Sequence, residues 1–240
     1  MRRIGAALAA LFFATSAAEA KESCDQAFGL RVCYSDAGGP IGYDHNILGN
    51  TPKWRELRGP DWVLRPKAGF FEDVAPRVAD VTGDGRPEVI AVQTDLMRGA
   101  RLIVVAGDGK LLGATAYIGQ RHRWMAQAGV GDFDGDGRIE IAYVDRPHLA
   151  KQLKVWRYVP QGEGAVNLAL VATKDGLTNH QIGETDIGGG MRICAEGVDV
   201  ITASADWTRV IATRLEGGKL VSRDMGPHTG HASLTAAMGC

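Results

Sequence analysis

Acidic side chains alternate with glycines in one short stretch of this sequence, residues 132–140, which reads DFDGDGRIE. Alternate residues of a tight loop can direct their side chains to one point, and carboxylates crowded there repel one another unless a cation lies between them. An irregular set of oxygen ligands suits Ca²⁺ better than Mg²⁺ or a soft metal. The predicted ligands are the carboxylates of Asp132, Asp134, Asp136 and Glu140 and the backbone carbonyl of Arg138.

A second copy of the pattern, DVTGDGRPE, begins at Asp80, 52 residues before Asp132. Its predicted ligands are Asp80, Thr82, Asp84 and Glu88, with the backbone carbonyl of Arg86. Because a threonine stands where a carboxylate is expected, we predict weaker calcium binding here. The spacing begins like an EF-hand, but position 12 of the later loop is Tyr143 rather than glutamate, and strand-like runs flank both loops. An EF-hand is therefore rejected.

Two weaker copies extend the repeat. QIGETDIGGG (181–190) aligns Asp186 with Asp132 and precedes VDVITASAD, which suggests a degenerate copy near residues 186–199. LRVCYSD (30–36) aligns with IEIAYVD (139–145). Gly188 and Gly190 replace central ligands in the first of these copies, and Arg31 replaces Glu140 in the second. We therefore expect no calcium in either.

The segments between the loops read as short strands. RLIVVA (101–106), LKVWRYV (153–159) and VIATR (210–214) are apolar or alternating, and turn residues follow at 107–109, 161–164 and 216–219. No helical periodicity is evident outside the N-terminal leader. Repeats of about 50 residues with about four strands each are typical of β-propeller blades.

The two ends of the chain suggest how such a ring would close. HASLTAAMGC (231–240) resembles the first-strand segment at 122–131, and the chain begins at a second strand. We therefore expect a small all-β propeller in which the C-terminal strand pairs with the N-terminal one. Four blades are favoured, and five remain the alternative because residues 37–67 are poorly patterned.

The loops and repeats resemble the FG-GAP or VCBS repeat family, whose blades carry a D-x-D-G-D-G-x-x-D loop between their first two strands. Asp132, Asp134, Asp136 and Glu140 match that pattern, with Glu140 in place of the usual final aspartate. The resemblance implies a calcium-stabilised propeller that recognises proteins or carbohydrates.

The N-terminus indicates export. Residues 1–20 have two arginines, an apolar run and a final Ala-Glu-Ala, which is typical of a secretory signal peptide. We expect a periplasmic or secreted single domain at 21–240. Its cysteines predict two disulfides in an oxidising compartment. Cys24–Cys33 with Cys194–Cys240 is favoured, and Cys24–Cys240 is the alternative.

Composition and motifs argue against several classes of function. Without the leader, 25 basic and 27 acidic side chains remain, so no basic field is available for nucleic acid. No segment after the leader is apolar over the length of a membrane span. The sequence contains no familiar catalytic motif, and its six histidines are dispersed along the chain.

Several other side chains could contact a ligand. Trp124 and Trp156 fall in strand patterns and are expected in the core, whereas Trp54 and Trp207 are the better surface candidates. A rim of strand-end residues around the best blade could contact a ligand, although a solvated edge is favoured: Arg121, Arg123, Arg146 and His148.

These observations favour a calcium-binding module that binds a protein or a glycan, or serves as a scaffold. The alternative is a periplasmic enzyme, a hydrolase or lyase acting on polysaccharides, with its site on one face of the propeller. That alternative requires two carboxylates facing one cleft.

Overall fold

The computed structural model describes residues 22–160 and 167–240. Within these ranges the protein is all-β, with one short helix, which confirms the all-β part of the predicted fold class. The predicted leader at 1–20 and the predicted turn at 161–164 lie outside the described residues. No helix in the described ranges is long and apolar enough to cross a membrane.

Most strands belong to four antiparallel meanders, here named units 1 to 4. Unit 1 comprises β1 (Ser23–Ala27), β2 (Leu30–Ala37), β3 (Trp54–Arg58) and β4 (Val63–Leu64). A short strand, β5 (Phe70–Phe71), follows it. Unit 2 comprises β6 (Arg77–Ala79), β7 (Glu88–Asp95), β8 (Gly99–Ala106) and β9 (Leu111–Ala114). Because β5 pairs with both β3 and β7, units 1 and 2 form one nine-stranded sheet.

The second half of the chain forms two further sheets. Unit 3 comprises β10 (Met125–Gly131), β11 (Glu140–Asp145), β12 (Gln152–Tyr158) and β13 (Leu168–Asp175). A short strand, β14 (Leu177–Thr178), pairs with the second strand of unit 4. Unit 4 comprises β15 (Gly190–Cys194), β16 (Gly197–Ser204), β17 (Arg209–Glu216) and β18 (Lys219–Pro227), and the helix α1 (His231–Ala237) follows it.

The units pack face to face in chain order, because successive side chains of a strand point to opposite faces. Val89 and Ala91 of β7 pack against unit 1, whereas Ile90 and Val92 of the same strand pack against unit 3. The same alternation continues from unit 3 to unit 4, where Val144 meets residues of β16 and β17. Strand β7 is buried along its whole length, as expected for a strand covered on both faces.

The two outermost sheet faces differ in chemistry. The free face of unit 4 is apolar and is covered by α1, whose Leu234 is fully buried against Ile201 and Ala212. The outer face of unit 1 instead carries an ionic cluster in which Glu56 pairs with Arg58 and Arg65. In a closed ring, the helix-covered face of unit 4 would therefore meet the charged face of unit 1.

The predicted strand at 231–240 is wrong, because this segment contains α1. Its pattern places His231, Leu234 and Met238 on one helical face, and Leu234 and Met238 pack on unit 4. The predicted pairing of N- and C-terminal strands is wrong for the same reason, since β1 pairs with β2. Loop hydrogen bonds nevertheless join units 1 and 4, including one of 2.7 Å from the amide N of Gly183 to the carbonyl of Ile47.

Both favoured disulfides, Cys24–Cys33 and Cys194–Cys240, are present. The first crosses the β1–β2 hairpin, where the two cysteines face each other in the ladder. The second ties the chain end after α1 to the end of β15. The expectation that Cys240 follows a strand is wrong, although its predicted partner is correct.

The first strands of all four units line one cavity. Its walls include Asp25 of β1, Arg77 of β6, Gln127 of β10 and Met191 of β15, and its volume is about 390 Å³. Hydrogen bonds connect neighbouring first strands around it: the amide N of Val78 donates to Asp25 at 2.8 Å, and that of Val130 donates to the sulfur of Met191 at 3.1 Å. The units are thus arranged around a shared centre.

Candidate metal centre

Asp132 organises the loop between β10 and β11. Its carboxylate accepts hydrogen bonds from the amide groups of Gly135, Asp136 and Gly137 at 2.7, 3.1 and 2.9 Å. Gly135 and Gly137 have φ values of 77° and 83°, which glycine adopts without steric cost. The loop therefore curls around its first carboxylate, as the spacing of aspartates and glycines predicts.

The curled loop brings three of the predicted ligands together. Carboxylate oxygens of Asp132, Asp134 and Asp136 lie within 4.8 Å of one another. The side chain of Arg138 donates to Asp136 at 2.5 and 3.1 Å, and this bond lowers the pKa of Asp136 to about 2. Among the described residues, these three carboxylates are the one group made of acidic side chains alone whose ligand atoms lie close enough to hold a metal ion.

Glu140, the fourth predicted carboxylate, lies deeper than the others. It begins β11, is fully buried, and accepts a hydrogen bond of 2.9 Å from the amide N of Phe133. Burial raises its pKa, while Phe133 and the guanidinium of Arg157 act in the opposite direction. Glu140 thus fastens the two ends of the loop to each other.

Arg157 on β12 is a member of the site that the sequence analysis did not identify. It is the direct cross-strand partner of Glu140. Its guanidinium pairs with Glu140 and lies 3.0 Å from Asp134 and 3.2 Å from Asp136. A cation from the chain itself therefore already contacts three of the four predicted carboxylate ligands.

The loop between β6 and β7 repeats this scaffold. Asp80 accepts hydrogen bonds from the amide groups of Gly83, Asp84 and Gly85 at 2.8, 3.2 and 2.9 Å. Glu88 accepts from the amide groups of Val81 and Thr82 at 2.8 and 3.0 Å. The predicted equivalence of the two loops is therefore visible in their hydrogen bonds.

The earlier loop differs from the later one in its charge balance. Glu88 faces Ala106 across the ladder, where Glu140 faces Arg157. Burial raises the pKa of Glu88, and Asp84 and Asp80 raise it further. Arg86 contributes its amide N to Asp84 at 2.9 Å. Among the described residues, no arginine or lysine forms an ion pair with Asp80, Asp84 or Glu88.

The degenerate copy predicted near 186–199 is wrongly placed. In units 2 and 3 the acidic loop joins the first strand to the second, but Asp186 precedes β15 and lies at the opposite end of its sheet. The equivalent connection in unit 4 is the two-residue turn of Ala195 and Glu196. In unit 1 it is the equally short turn of Phe28 and Gly29.

The sheet end opposite the acidic loops, here called the histidine end, gathers residues that are distant in sequence. The segments before each first strand and between each second and third strand meet there, and they carry His45, His122, His148 and His180. The chain after β18 adds His228, which contacts the carbonyl of Trp207, and His231, which pairs with Glu184 and Asp186.

The central histidines of this end form two contacting pairs. The rings of His45 and His122 stack with centroids 5.2 Å apart. Nε2 of His148 lies 2.9 Å from Nδ1 of His180, and both rings pack against Trp124. Burial, followed by the neighbouring His180, lowers the pKa of His148 to about 4. The signal for this grouping was the position of each histidine beside a strand end.

The predicted rim residues also lie at the histidine end. Arg146 pairs with Asp145 at 2.8 and 3.0 Å. Arg121 donates to Nε2 of His122 at 3.0 Å, and Arg123 donates to the carbonyl of His122 at 3.4 Å. Four exposed apolar side chains lie in loops at the same end: Ile41, Met97, Leu149 and Ile182. The rim thus combines apolar and cationic groups.

The tryptophan predictions are partly confirmed. Trp124 is buried, and its Nε1 donates to the carbonyl of Glu72 at 2.6 Å. Trp156 packs against the same core. The prediction that Trp54 lies at the surface is wrong, because its side chain is 2 % exposed between units 1 and 2. Trp207 is half-buried over the unit 4 core beside α1.

Comparison with known families identifies the stretch that carries both acidic loops. Residues 69–143 match the FG-GAP-like repeat. The chain carries an FG-GAP-like repeat. The matched region runs from the residue before β5 into β11, so it contains both D-x-[TD]-G-D-G loops and the strands that flank them. No curated protein matches the chain.

Proposed function

We propose that this protein is an exported, calcium-binding β-propeller of four blades that acts as a binding or scaffold module. The observation that carries the calcium assignment is the convergence of Asp132, Asp134 and Asp136 oxygens within 4.8 Å, inside an FG-GAP-like repeat. The leader-like residues 1–20 and the two disulfides support export to an oxidising compartment.

Four meanders around a common cavity support the propeller. Each unit contributes its first strand to the cavity wall, as blades do around a propeller axis. The poorly patterned residues 37–67 supply a long loop, β3 and β4 to unit 1, so a fifth blade is not required. Loop contacts and α1 take the place of the strand closure expected from the sequence.

The two acidic loops fit calcium to different degrees. In loop 132–140 the side chains of Asp132, Asp134 and Asp136 and the carbonyl of Arg138 would hold the ion, with Glu140 behind them. Loop 80–88 offers Asp80, Thr82, Asp84, Glu88 and the carbonyl of Arg86 in an equivalent backbone frame. Bound calcium would neutralise the carboxylates and hold the turn between two buried strands.

The histidine end supports a recognition role. It presents four exposed apolar side chains and, at the same end of the sheets, the guanidinium groups of Arg121 and Arg123. Neither arginine forms an ion pair with a carboxylate in the part of the chain that the structure describes. Side chains of these kinds are common where proteins bind other proteins or glycans, so we place the partner at this end.

Calcium titration tests the proposal. The protein is stripped with chelator and titrated with Ca²⁺ by calorimetry, in parallel with Asp134→Ala, Asp84→Ala and the control Asp186→Ala, which lies outside both loops. We expect each loop variant to lose one binding event and the control to lose none. Calcium at about 100 times Kd should stabilise the fold by about 2.7 kcal/mol. Absence of heat and of a Tm change in the wild type would refute calcium binding.

A further inference from the structure

The two acidic loops differ in one residue of the third strand. Arg157 on β12 faces Glu140, and Ala106 on β8 occupies the corresponding place opposite Glu88. Both loops otherwise use the same amide-to-carboxylate hydrogen bonds. Apart from Thr82, which stands in the place of Asp134, the guanidinium is therefore the main chemical difference between the two loops.

Loop 132–140 needs a positive charge whether or not a metal is present. Glu140 is fully buried, and the side chain of Arg157 is only 10 % exposed. A carboxylate removed from water without a partner is costly. The planar guanidinium can donate to several oxygens at once, and here it reaches Asp134, Asp136 and Glu140.

We infer that Arg157 is the resident cation of loop 132–140 and competes with calcium for its carboxylates. The calcium half of this inference rests on the proposed function. When the ion enters, the guanidinium must give up oxygens of Asp134 and Asp136 or remain as a like charge beside it. Arg157 therefore lowers the calcium affinity of the loop with more carboxylates, whereas no arginine or lysine of the described residues pairs with the carboxylates of loop 80–88.

The size of the effect follows from electrostatics. A unit positive charge about 5 Å from Ca²⁺ in a water-like medium weakens binding about tenfold. We therefore expect Arg157→Gln to bind calcium about tenfold more tightly than the parent. Arg138→Gln is the comparison variant: it keeps the backbone carbonyl proposed as a ligand and removes a guanidinium that also contacts Asp136 but is 64 % exposed. Solvent screening should keep its effect within about threefold.

The affinity experiment isolates one loop at a time. Calorimetric Ca²⁺ titrations are made in an Asp84→Ala background, so that heat reports loop 132–140. The reciprocal variant, Ala106→Arg in an Asp134→Ala background, should weaken calcium binding at loop 80–88 and does not depend on the folding of Arg157→Gln. Unchanged affinity in both swaps would overturn the inference.

A second measurement separates this inference from the calcium proposal. In excess chelator, Arg157→Gln should melt about 5–10 °C below the parent, because Glu140 loses its ion-pair partner. Calcium should restore more of the Tm in this variant than in the parent. An unchanged Tm in chelator would overturn the resident-cation role. A lowered Tm with no calcium binding in any variant would refute the proposed function and the competition, and would leave Arg157 as a permanent counter-ion.

Discussion

Truncation of Leu234 tests whether α1 forms part of the core. Leu234 is fully buried among Ile201, Ala203, Val210 and Ala212. A Cβ added to Gly188 would lie 2.8 Å from Cδ1 of Leu234, so the backbone at Gly188 packs closely against the leucine side chain. Leucine-to-alanine changes in such sites cost about 2–5 kcal/mol, and the cost rises with the cavity left behind. Because α1 is short and can shift to fill part of the space, we expect about 3 kcal/mol for Leu234→Ala.

Urea unfolding of the disulfide-intact protein measures this cost. For a chain of this length, about 3 kcal/mol corresponds to a fall in Tm of about 6–12 °C. The matched control is Thr235→Ala, one residue further along the same helix but exposed, which should change stability by less than about 0.5 kcal/mol. Amide exchange should also accelerate in α1 and at the facing ends of β16 and β17.

Equal effects of the two substitutions would refute the reasoning. That result would mean that the free face of unit 4 is not sealed by the helix and that the disulfide merely tethers a peripheral segment. The conclusion would be the same if Leu234→Ala lost stability only after reduction of the disulfides. The Cys194–Cys240 bond, and not the packing of Leu234, would then hold α1 against unit 4.

Two further perturbations follow from buried charge. His148 has a folded pKa of about 4 against an ordinary value of about 6.5, so the unfolded chain takes up its proton first. The stability contributed by neutral His148 is full above pH 6.5 and falls as the pH drops towards 4, by about 1–2 kcal/mol once solvent screening of this half-buried ring is allowed for. His148→Gln should flatten this part of the pH profile measured by urea unfolding, and an unchanged profile would refute the role assigned to His148. Asp199, which is fully buried, accepts hydrogen bonds from three arginines: Arg192, Arg214 and Arg223. Asp199→Asn should cost about 2–3 kcal/mol in urea unfolding at pH 7, and a loss below 0.5 kcal/mol would show that the arginines find other partners.

Local sequence patterns predicted the parts of the fold that local forces determine. The residues of β7 and β11 predict strands whose side chains pack on both faces of the sheet. Each D-x-[TD]-G-D-G segment predicts a loop that curls around its first aspartate. The C-terminal segment was misread because HASLTAA is short. Its resemblance to a first strand rested on small residues, which suit either structure, and its helical state depends on Leu234 finding the unit 4 core.

The misplaced copy in unit 4 has a similar origin. Asp186 and the glycines after it imitate the acidic loop in composition, but the connection that could carry such a loop is the two-residue turn at Ala195. Only the position of β15, which begins at Gly190, shows that Asp186 precedes the first strand of unit 4 and does not follow it. A five-residue strand with mixed burial has too weak a pattern to be located from sequence alone.

Arg157 shows what the motif omits and how it could have been found. Leu153, Val155 and Arg157 are alternate residues of β12, so all three point to the face that packs on unit 4. An arginine in line with two fully buried apolar residues must have an acidic partner. The register of the β11–β12 hairpin supplies Glu140, so the acidic loop shares its last carboxylate with the third strand. Under the calcium binding proposed above, two loops with almost the same D-x-[TD]-G-D-G sequence would differ in affinity through a residue that the motif does not contain. The residue opposite the final glutamate therefore belongs to any comparison of the two loops as candidate metal sites.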